Sequence, residues 1–360
     1  MKDSGNKIFV EKSTGEIIQG KNSFDIIRYF LSFAVLVDHF RVITGIPYYF
    51  LMGSVDAVHG FFILSGFLVF YSYVRKPEVR HYTERRARRI LPPYLFIVTL
   101  CWVAGLFISA FPVKEYILST QLWKYMLANY SFLNFIEPAL PGCFDGGAVN
   151  GSLWTLKVEI MLYATVPIVY YLMKRFRILP VLAAVLIFSI LYNELFYYLN
   201  ESTGSKIFGI LQRQVGGQLL YFYSGTLILL YFEHFRKYIK ILFPVAVFVC
   251  YFRYDIPLLI YLEPLAFATV LIGCAYYVKW FVFMRKYDNI AYGIYLFHFP
   301  VIQLSLWLGI DKISSPLCFI FCVAGTLSLS LLSWFLLEKP VLTNRFFPPK
   351  EKKRISSEPV

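Results

Sequence analysis

Residues 24–40 read FDIIRYFLSFAVLVDHF, an apolar run that still carries Arg28 and His39. In a helix, eleven positions turn the chain through ~1100°, within about 20° of three full turns, so both side chains share one face ~16 Å apart. A cation and a titratable imidazole are costly to bury in lipid, and such residues face a protein interior or a wet cavity. The stretch therefore predicts a membrane helix with one functional face.

The whole chain has the composition of a membrane protein. It is 58% hydrophobic and 19% aromatic over 360 residues, with a mean hydropathy of +0.59. Soluble domains are only about 45–50% apolar. Because several runs approach the ~20 residues that cross the hydrocarbon, we predict an all-α fold, a polytopic membrane helix bundle of about ten transmembrane helices. The predicted spans are 24–43, 55–74, 91–111, 153–173, 179–199, 219–231, 241–252, 258–278, 290–308 and 317–337.

The distribution of Lys and Arg predicts the orientation of these spans. Most of the basic residues fall in alternate loops and in the C-terminal tail, which places both termini in the cytoplasm. No apolar segment precedes residue 24, so we expect the first span to be retained as a signal anchor. The expected organisation is a cytoplasmic lead (1–23), a transmembrane domain (24–340) and a cytoplasmic tail (341–360). The net charge of +13 then reflects topology and requires no nucleic-acid partner.

The longest predicted outside segment, residues 112–150, leads into a helix with a buried acid. Ser152 and Glu159 are seven positions apart in SLWTLKVE and nearly share a helix face, and Trp154 lies where interfacial tryptophans are common. A carboxylate two turns into the membrane indicates a functional site. The alternative is that Glu159 pairs with Lys157 or a nearby arginine as a structural contact.

Span two carries further polar residues. Asp56 and His59 lie near its outer mouth, where His59 is either an interfacial residue or part of the site. Ser65 and Gly66 lie deeper in the span, where small residues allow helices to approach closely. Either that packing or a site role fits these two residues.

The densest charge cluster holds Arg85, Arg86, Arg88 and Arg89 just before span three. It is either a positive-inside anchor or a site for a phosphorylated ligand from the cytoplasm, because guanidinium groups match phosphate oxygens. In a helix, Arg85 and Arg89 share a face while Arg86 and Arg88 point to either side, so only part of the cluster can line one pocket.

In span nine, His298 next to Pro300 is either a cavity residue or a kink histidine bonded to a freed carbonyl, and we favour the second. No clustering of the six cysteines with histidine indicates a metal, and none is expected.

Taken together these motifs resemble the acyltransferase-3 family of integral membrane acyltransferases. The shared elements, in order, are Arg28 with His39, FFILSGF (61–67), RRARRILP (85–92), SLWTLKVE (152–159), YLFHFP (295–300) and EKP (338–340). The family often has Asp where His59 stands and Ser where Lys157 stands. The chain is expected to lack the SGNH esterase-like domain that some relatives carry.

The resemblance implies O-acyl transfer, most commonly of acetyl, from cytoplasmic acetyl-CoA to a hydroxyl of a cell-surface or periplasmic polysaccharide or lipid-linked glycan. It implies a multi-pass protein of the cell inner (plasma) membrane. A hydroxyl needs a base near pH 7, so His39 is expected to act as general base or acyl carrier. Arg28 would face the donor or the developing oxyanion, and Glu159 would orient the imidazole or the acceptor. The expected CoA-binding residues are Arg85, Arg86, Arg88 and Arg89, and the expected substrate-binding residues are Ser152, Trp154, Asp56 and His59.

A transporter or flippase of a lipid-linked sugar, with His39, Glu159 and Arg28 as a proton relay, is the alternative function. Internal inverted repeats would favour it, and the two halves of the sequence show no convincing similarity.

Overall fold

Every regular element in the described part of the chain is helical. The computed structural model describes Gly15 and residues 20–343, so most of the predicted lead (1–23) and tail (341–360) lies outside the described residues. The α-helices are α1 (Phe24–Thr44), α2 (Ser54–Arg75), α3 (Val79–Ile108), α4 (Val113–Leu118), α5 (Thr120–Tyr130), α6 (Trp154–Phe176), α7 (Ile178–Thr203), α8 (Lys206–Gln212), α9 (Val215–Leu230), α10 (Phe232–Phe252), α11 (Leu259–Tyr277), α12 (Ala291–Trp307), α13 (Ile310–Ile313), α14 (Ser315–Ser333) and α15 (Lys339–Leu342). A π-helical turn, Trp334–Glu338, joins α14 to α15.

The predicted membrane helix bundle is confirmed, and each of the ten predicted spans falls on one helix. Within the described residues, six helices are long and apolar enough to cross a membrane, and a seventh candidate is α12 together with the 3-10 segment Lys279–Lys286, bent by 84°. The other three predicted spans fall short for visible reasons. Helices α1 and α10 carry several charges, and α9 has only 16 residues. The count of ten therefore stays a prediction.

The centre of the bundle is the crossing of α2 and α9, which meet on two glycines. A Cβ on Gly66 would lie 1.7 Å from the carbonyl oxygen of Phe222, and one on Gly225 would lie 2.1 Å from that of Ile63. The hydroxyl of Thr226 also donates to the Gly66 carbonyl at 3.0 Å. The close approach predicted for Gly66 is thus present, and it brings the neighbouring Ser65 against α6.

Helix α12 passes beside α1 and contains Pro300. A proline has no N–H for the carbonyl four residues earlier, which here belongs to Leu296. The side chain of Asn150 supplies the missing donor at 2.9 Å, and Gln303 donates to the Ala148 carbonyl at 2.9 Å. The long loop after α5 is therefore fastened to α12 close to Pro300.

Two ends of the bundle matter for function. We call the end that carries Arg85–Arg89 the arginine end, and the end that carries residues 112–150 the loop end. The orientation predicted from charge makes the arginine end cytoplasmic. Helix α7, at the periphery, exposes large apolar side chains such as Ile187, Phe188 and Leu191, which suits contact with lipid.

Candidate functional site: a charged cavity and a histidine pair

A cavity of about 130 Å³ lies between α1, α2, α3, α6 and α12. Its apolar lining comes mainly from α2, which contributes Val58, Phe61, Phe62, Leu64, Leu68 and Val69. Its polar lining comes from five helices and consists of Arg28, Ser65, Arg86, Arg89, Thr155, Glu159, Tyr163, Tyr292 and Tyr295. A mostly apolar pocket with a few convergent polar groups is typical of a small-molecule site.

Arg28 reaches this cavity from the first turns of α1. Its guanidinium pairs with Asp25 one turn earlier at 3.0 Å, and the same carboxylate oxygen accepts from the Asn289 side chain at 2.7 Å. Asp25 thus holds Arg28 between α1 and the start of α12. Arg28 and His39 both lie on the side of α1 that faces α12, as their spacing predicts.

The segment before α12 is tied down at the arginine end, which positions Asn289. The hydroxyl of Tyr29 donates to the Asp288 carbonyl and accepts from the Ile290 N–H, each at 3.1 Å. Lys339 pairs with the Asp288 carboxylate at 2.7 Å. The hydrogen bond from this ammonium lowers the pKa of the Asp288 carboxyl below its ordinary value.

Glu159 lies inside the cavity, one turn above Tyr163 on α6. Its carboxylate accepts from the Tyr163 hydroxyl and from Ser65 at 3.4 Å. Lys157 instead lies over the ring of Phe135, 4.4 Å from its centre, so the alternative in which Lys157 pairs with Glu159 is wrong. Among the described residues no cation lies within 4.0 Å of Glu159.

The arginine cluster is divided between different surroundings. Arg86 and Arg89, one turn apart on α3, both line the cavity, and Arg86 also lies over the Tyr163 ring at 5.9 Å. Arg88 pairs with Glu84 at 2.6 Å. Only part of the cluster lines the cavity, as predicted, but Arg85 and Arg89 line different pockets, because α3 turns its Arg86–Arg89 side toward α6 and α12.

Arg85 belongs to a second pocket, of about 540 Å³, at the arginine end. Tyr71, Ser72, Arg75 and Lys76 form the rest of its lining. The Nε and Nη2 atoms of Arg85 are buried and have no hydrogen-bond partner in the described part of the chain. Unsatisfied guanidinium nitrogens in a basic pocket fit an anionic ligand such as a phosphate.

His39 does not line the cavity but forms a pair with a second histidine. Its Nδ1 lies 2.7 Å from Nε2 of His298 on α12, and the planes of the two rings are 14° apart. The carbonyl freed by Pro300 binds Asn150, so the interpretation of His298 as a kink histidine on that carbonyl is wrong. No contact supports the predicted role of Glu159 in orienting the imidazole, because the hydrogen-bond partner of the His39 ring is His298.

Tyr295 connects the cavity with the histidine pair. It lines the cavity, and its ring centre is 6.0 Å from that of His298. Its hydroxyl is hydrogen-bonded to Thr155 at 2.6 Å and to the Ser152 carbonyl at 3.3 Å. Ser152, which is buried, donates in turn to Asn150 at 2.7 Å. Ser152 and the neighbouring Trp154 therefore lie at the loop-end border of the site.

Asp56 and His59 face away from the cavity. Asp56 pairs with Arg253 at 2.5 Å, and Arg253 also pairs with the buried Glu263 at 3.0 Å. The His59 ring stacks on Tyr221 with a centre-to-centre distance of 3.6 Å. Asp56 thus belongs to a separate ionic cluster with Arg253 and Glu263, and His59 packs on α9 beside it.

Sequence reasoning missed several residues of the site. Asp25 could have been found, because an acid three positions before Arg28 in a helix is an i,i+3 partner. The chain has 28 tyrosines, so composition did not single out Tyr163, Tyr292 and Tyr295. Asn289 is recognised only from the structure, which places its side chain against Asp25. In the described part of the chain no three His, Cys, Asp or Glu side chains are grouped to hold a metal ion.

Comparison with known proteins gives one family and three relatives. The sequence model of the acyltransferase-3 family, described as an acyltransferase domain, matches residues 21–335. Nodulation protein 10 of Rhizobium leguminosarum bv. viciae is 24% identical, over 90% of this chain and 94% of that protein. An O-acetyl transferase of Shigella phage Sf6 is 26% identical over 39% of this chain and 44% of its own length. A putative peptidoglycan O-acetyltransferase of Bacillus subtilis (strain 168) is 26% identical over 85% of this chain and 54% of its own length.

No solved structure matches the chain significantly. The family match spans α1 to α14 and covers every residue that lines the cavity as well as both histidines. The chain therefore belongs to the acyltransferase-3 family and is a multi-pass membrane acyltransferase.

Proposed function

We propose that this protein transfers an acyl group, acetyl in the simplest case, from acyl-CoA to a hydroxyl of a cell-surface or periplasmic glycan. The observation that carries the proposal is a cavity with three arginines and one carboxylate whose loop-end wall, Tyr295, adjoins a histidine pair. The names of two relatives, an O-acetyl transferase and a putative peptidoglycan O-acetyltransferase, support acetyl and a glycan. The fitting location is the cell inner membrane, with the arginine end in the cytoplasm.

The donor's phosphates suit the arginine end. The second pocket offers Arg75, Lys76 and the unpartnered nitrogens of Arg85, and guanidinium groups bind phosphate oxygens in pairs. The adjacent residue in the chain, Arg86, already lines the cavity. A cavity of about 130 Å³ accommodates the acyl end and part of the flexible arm, so the nucleotide would remain in the larger outer pocket.

His39 is the base that this reaction needs. It would take the proton of the acceptor hydroxyl while that oxygen attacks the thioester carbonyl, and the C–S bond would break as the C–O bond forms. The departing thiolate would receive the proton from His39 and leave as the free thiol. The cavity arginines would hold the donor and not the reacting carbonyl, since Arg28 and His39 are ~16 Å apart along α1.

The acceptor would enter from the loop end. Ser152 and Trp154 stand there beside Tyr295, under a loop that Asn150 fastens to α12. A loop seated in this way can cover a sugar hydroxyl and exclude water from the reacting carbonyl. Asp56 and His59 take no part in this scheme.

The test uses membranes that contain the protein, radiolabelled acetyl-CoA and total surface glycan. Three forms are compared: wild type, His39→Ala and the matched control His234→Ala, which removes an exposed histidine on α10. We expect label in glycan with wild type and the control, and a loss of roughly 10²- to 10⁴-fold with His39→Ala, the usual contribution of a general base.

Equal labelling by wild type and His39→Ala at equal protein levels would refute the role of His39. Absence of label in all three forms, together with movement of an intact lipid-linked sugar across the membrane, would replace the proposal with the transporter.

A further inference from the structure

Between residues 20 and 343 the histidine pair has no carboxylate partner. Asp38, next to His39 in the chain, is committed to Arg41 at 2.6 Å and to the Ser54 N–H at 2.8 Å. Among the described residues, no carboxylate is hydrogen-bonded to either ring; Phe299 lies edge-on to His39 with ring centres 5.5 Å apart. Whatever orients the His39 ring must therefore come from His298.

The hydrogen bonds of His298 assign its protons. Its Nδ1 lies 3.2 Å from the carbonyl oxygen of Ile294, and a carbonyl only accepts, so Nδ1 carries the hydrogen. A neutral imidazole has a single N–H, which leaves Nε2 of His298 as an acceptor. The ring nitrogen 2.7 Å away, Nδ1 of His39, must then be the donor.

We propose that His298 is a positioning residue that holds His39 in the Nδ1–H tautomer and leaves Nε2 of His39 as the free base. This inference rests on the proposed role of His39 in acyl transfer. It assigns to a buried histidine and a backbone carbonyl the task that a carboxylate performs in many other sites.

The same geometry determines which ring accepts the proton during the reaction. When Nε2 of His39 takes the hydroxyl proton, Nδ1 keeps its hydrogen and continues to donate to His298, now as a stronger, charge-assisted bond. If the Nδ1 proton of His39 passed on to His298 instead, the hydrogen bond would reverse its direction, and the positive charge would lie on the fully buried His298 ring, where desolvation costs more than on the partly buried His39. The positive charge therefore stays on His39 until the proton passes to the leaving sulfur.

The fold keeps His298 in place for this task. The residue is fully buried, and Asn150 occupies the Leu296 carbonyl that Pro300 leaves free. The carbonyl without a helical partner is thus satisfied without His298, whose Nε2 remains available to His39.

The experiment compares purified wild type with His298→Phe, which keeps a ring without an acceptor, and His298→Gln, whose amide oxygen can reach the place of Nε2. We expect kcat to fall by roughly 100-fold or more in His298→Phe, with KM for acetyl-CoA unchanged, and to recover to within about tenfold of wild type in His298→Gln. Equal impairment of both variants, or full activity of His298→Phe, would overturn the inference.

A second measurement does not depend on turnover or on the folding of the His298 variants. In protein with ¹⁵N-labelled histidine, the His39 signals are identified by their loss in His39→Ala. We expect a protonated Nδ1 and an unprotonated Nε2 for His39 in the wild type. The reverse tautomer would overturn the inference even if acetyl transfer proceeds, whereas an inactive wild type with the expected tautomer would count against the proposed function alone.

Discussion

The cavity and the histidine pair lie side by side on α12 yet have opposite electrostatic character. The cavity collects three arginines around one glutamate. The pair consists of two imidazoles whose nearest aromatic neighbours are Phe299 and Tyr295, and no carboxylate is hydrogen-bonded to either within the described residues. One region is built to hold a ligand of fixed negative charge, and the other to gain and lose a single proton.

This difference explains why the two are separated along α1. A guanidinium stays charged at any physiological pH, and close to an imidazole it would disfavour the protonated ring that base catalysis requires. Eleven residues of helix, ~16 Å of rise, keep Arg28 away from His39 while both remain on one face. We infer that the arginines bind the donor and that the histidines carry out proton transfer.

The largest effect is expected from a control variant, Arg253→Met, which changes the ionic cluster that lies outside both regions. Arg253→Met leaves Asp56 and the buried Glu263 without their shared cation. Losing one partner of a buried ion pair costs about 3–5 kcal/mol, so we expect a marked fall in thermal stability in detergent and an unchanged KM for acetyl-CoA in protein that remains folded. Arg236→Met, which breaks an exposed pair with Glu233, should change stability by less than about 1 kcal/mol. A raised KM in Arg253→Met would mean that the cluster belongs to the donor site after all.

The next effect separates two arginines of one helix. Arg89→Met removes a cavity cation, and the loss of a hydrogen bond to a charged group, about 1.5–3 kcal/mol, corresponds to roughly a 10- to 100-fold rise in KM for acetyl-CoA. Arg88→Met, in which the lost contact is the exposed Glu84 pair, should leave KM within about twofold of wild type. Steady-state kinetics on both variants checks this, and equal effects would remove the distinction between cavity and anchor arginines.

The smallest expected effect is the coupling between the two regions. The cavity lining includes Arg89 and excludes His298, so Arg89→Met and His298→Phe should act independently. We expect the double variant to lose kcat/KM by the product of the single losses, with a coupling below about 0.5 kcal/mol. A coupling well above that value would show that donor binding and proton transfer share one network.

The fold class, a membrane helix bundle, was predictable because the length of each apolar run and the positions of the charges can be read from each segment of the sequence separately. The shared face of Arg28 and His39, the close approach at Gly66 and the division of the arginine cluster all follow from helix geometry. Which arginines would reach the cavity did not follow, because it depends on how far α3 rotates against α6 and α12. Of the two partners of Glu159, Ser65 was also unreadable, because it lies 94 positions earlier in the chain, whereas Tyr163 is one turn away on the same helix.

The sequence by itself determined that this is a membrane acyltransferase with a strongly basic end and a histidine on the first helix. These features are local in the chain, and helix periodicity and the energetic cost of charge in lipid make them legible. Only the tertiary structure decided that His298, 259 positions away, is the partner of His39, and that Asp56 and His59 do not line the cavity. A helix presents its side chains in all directions, and only the packing of its neighbours selects the direction that becomes a cavity, a pair or a contact with lipid.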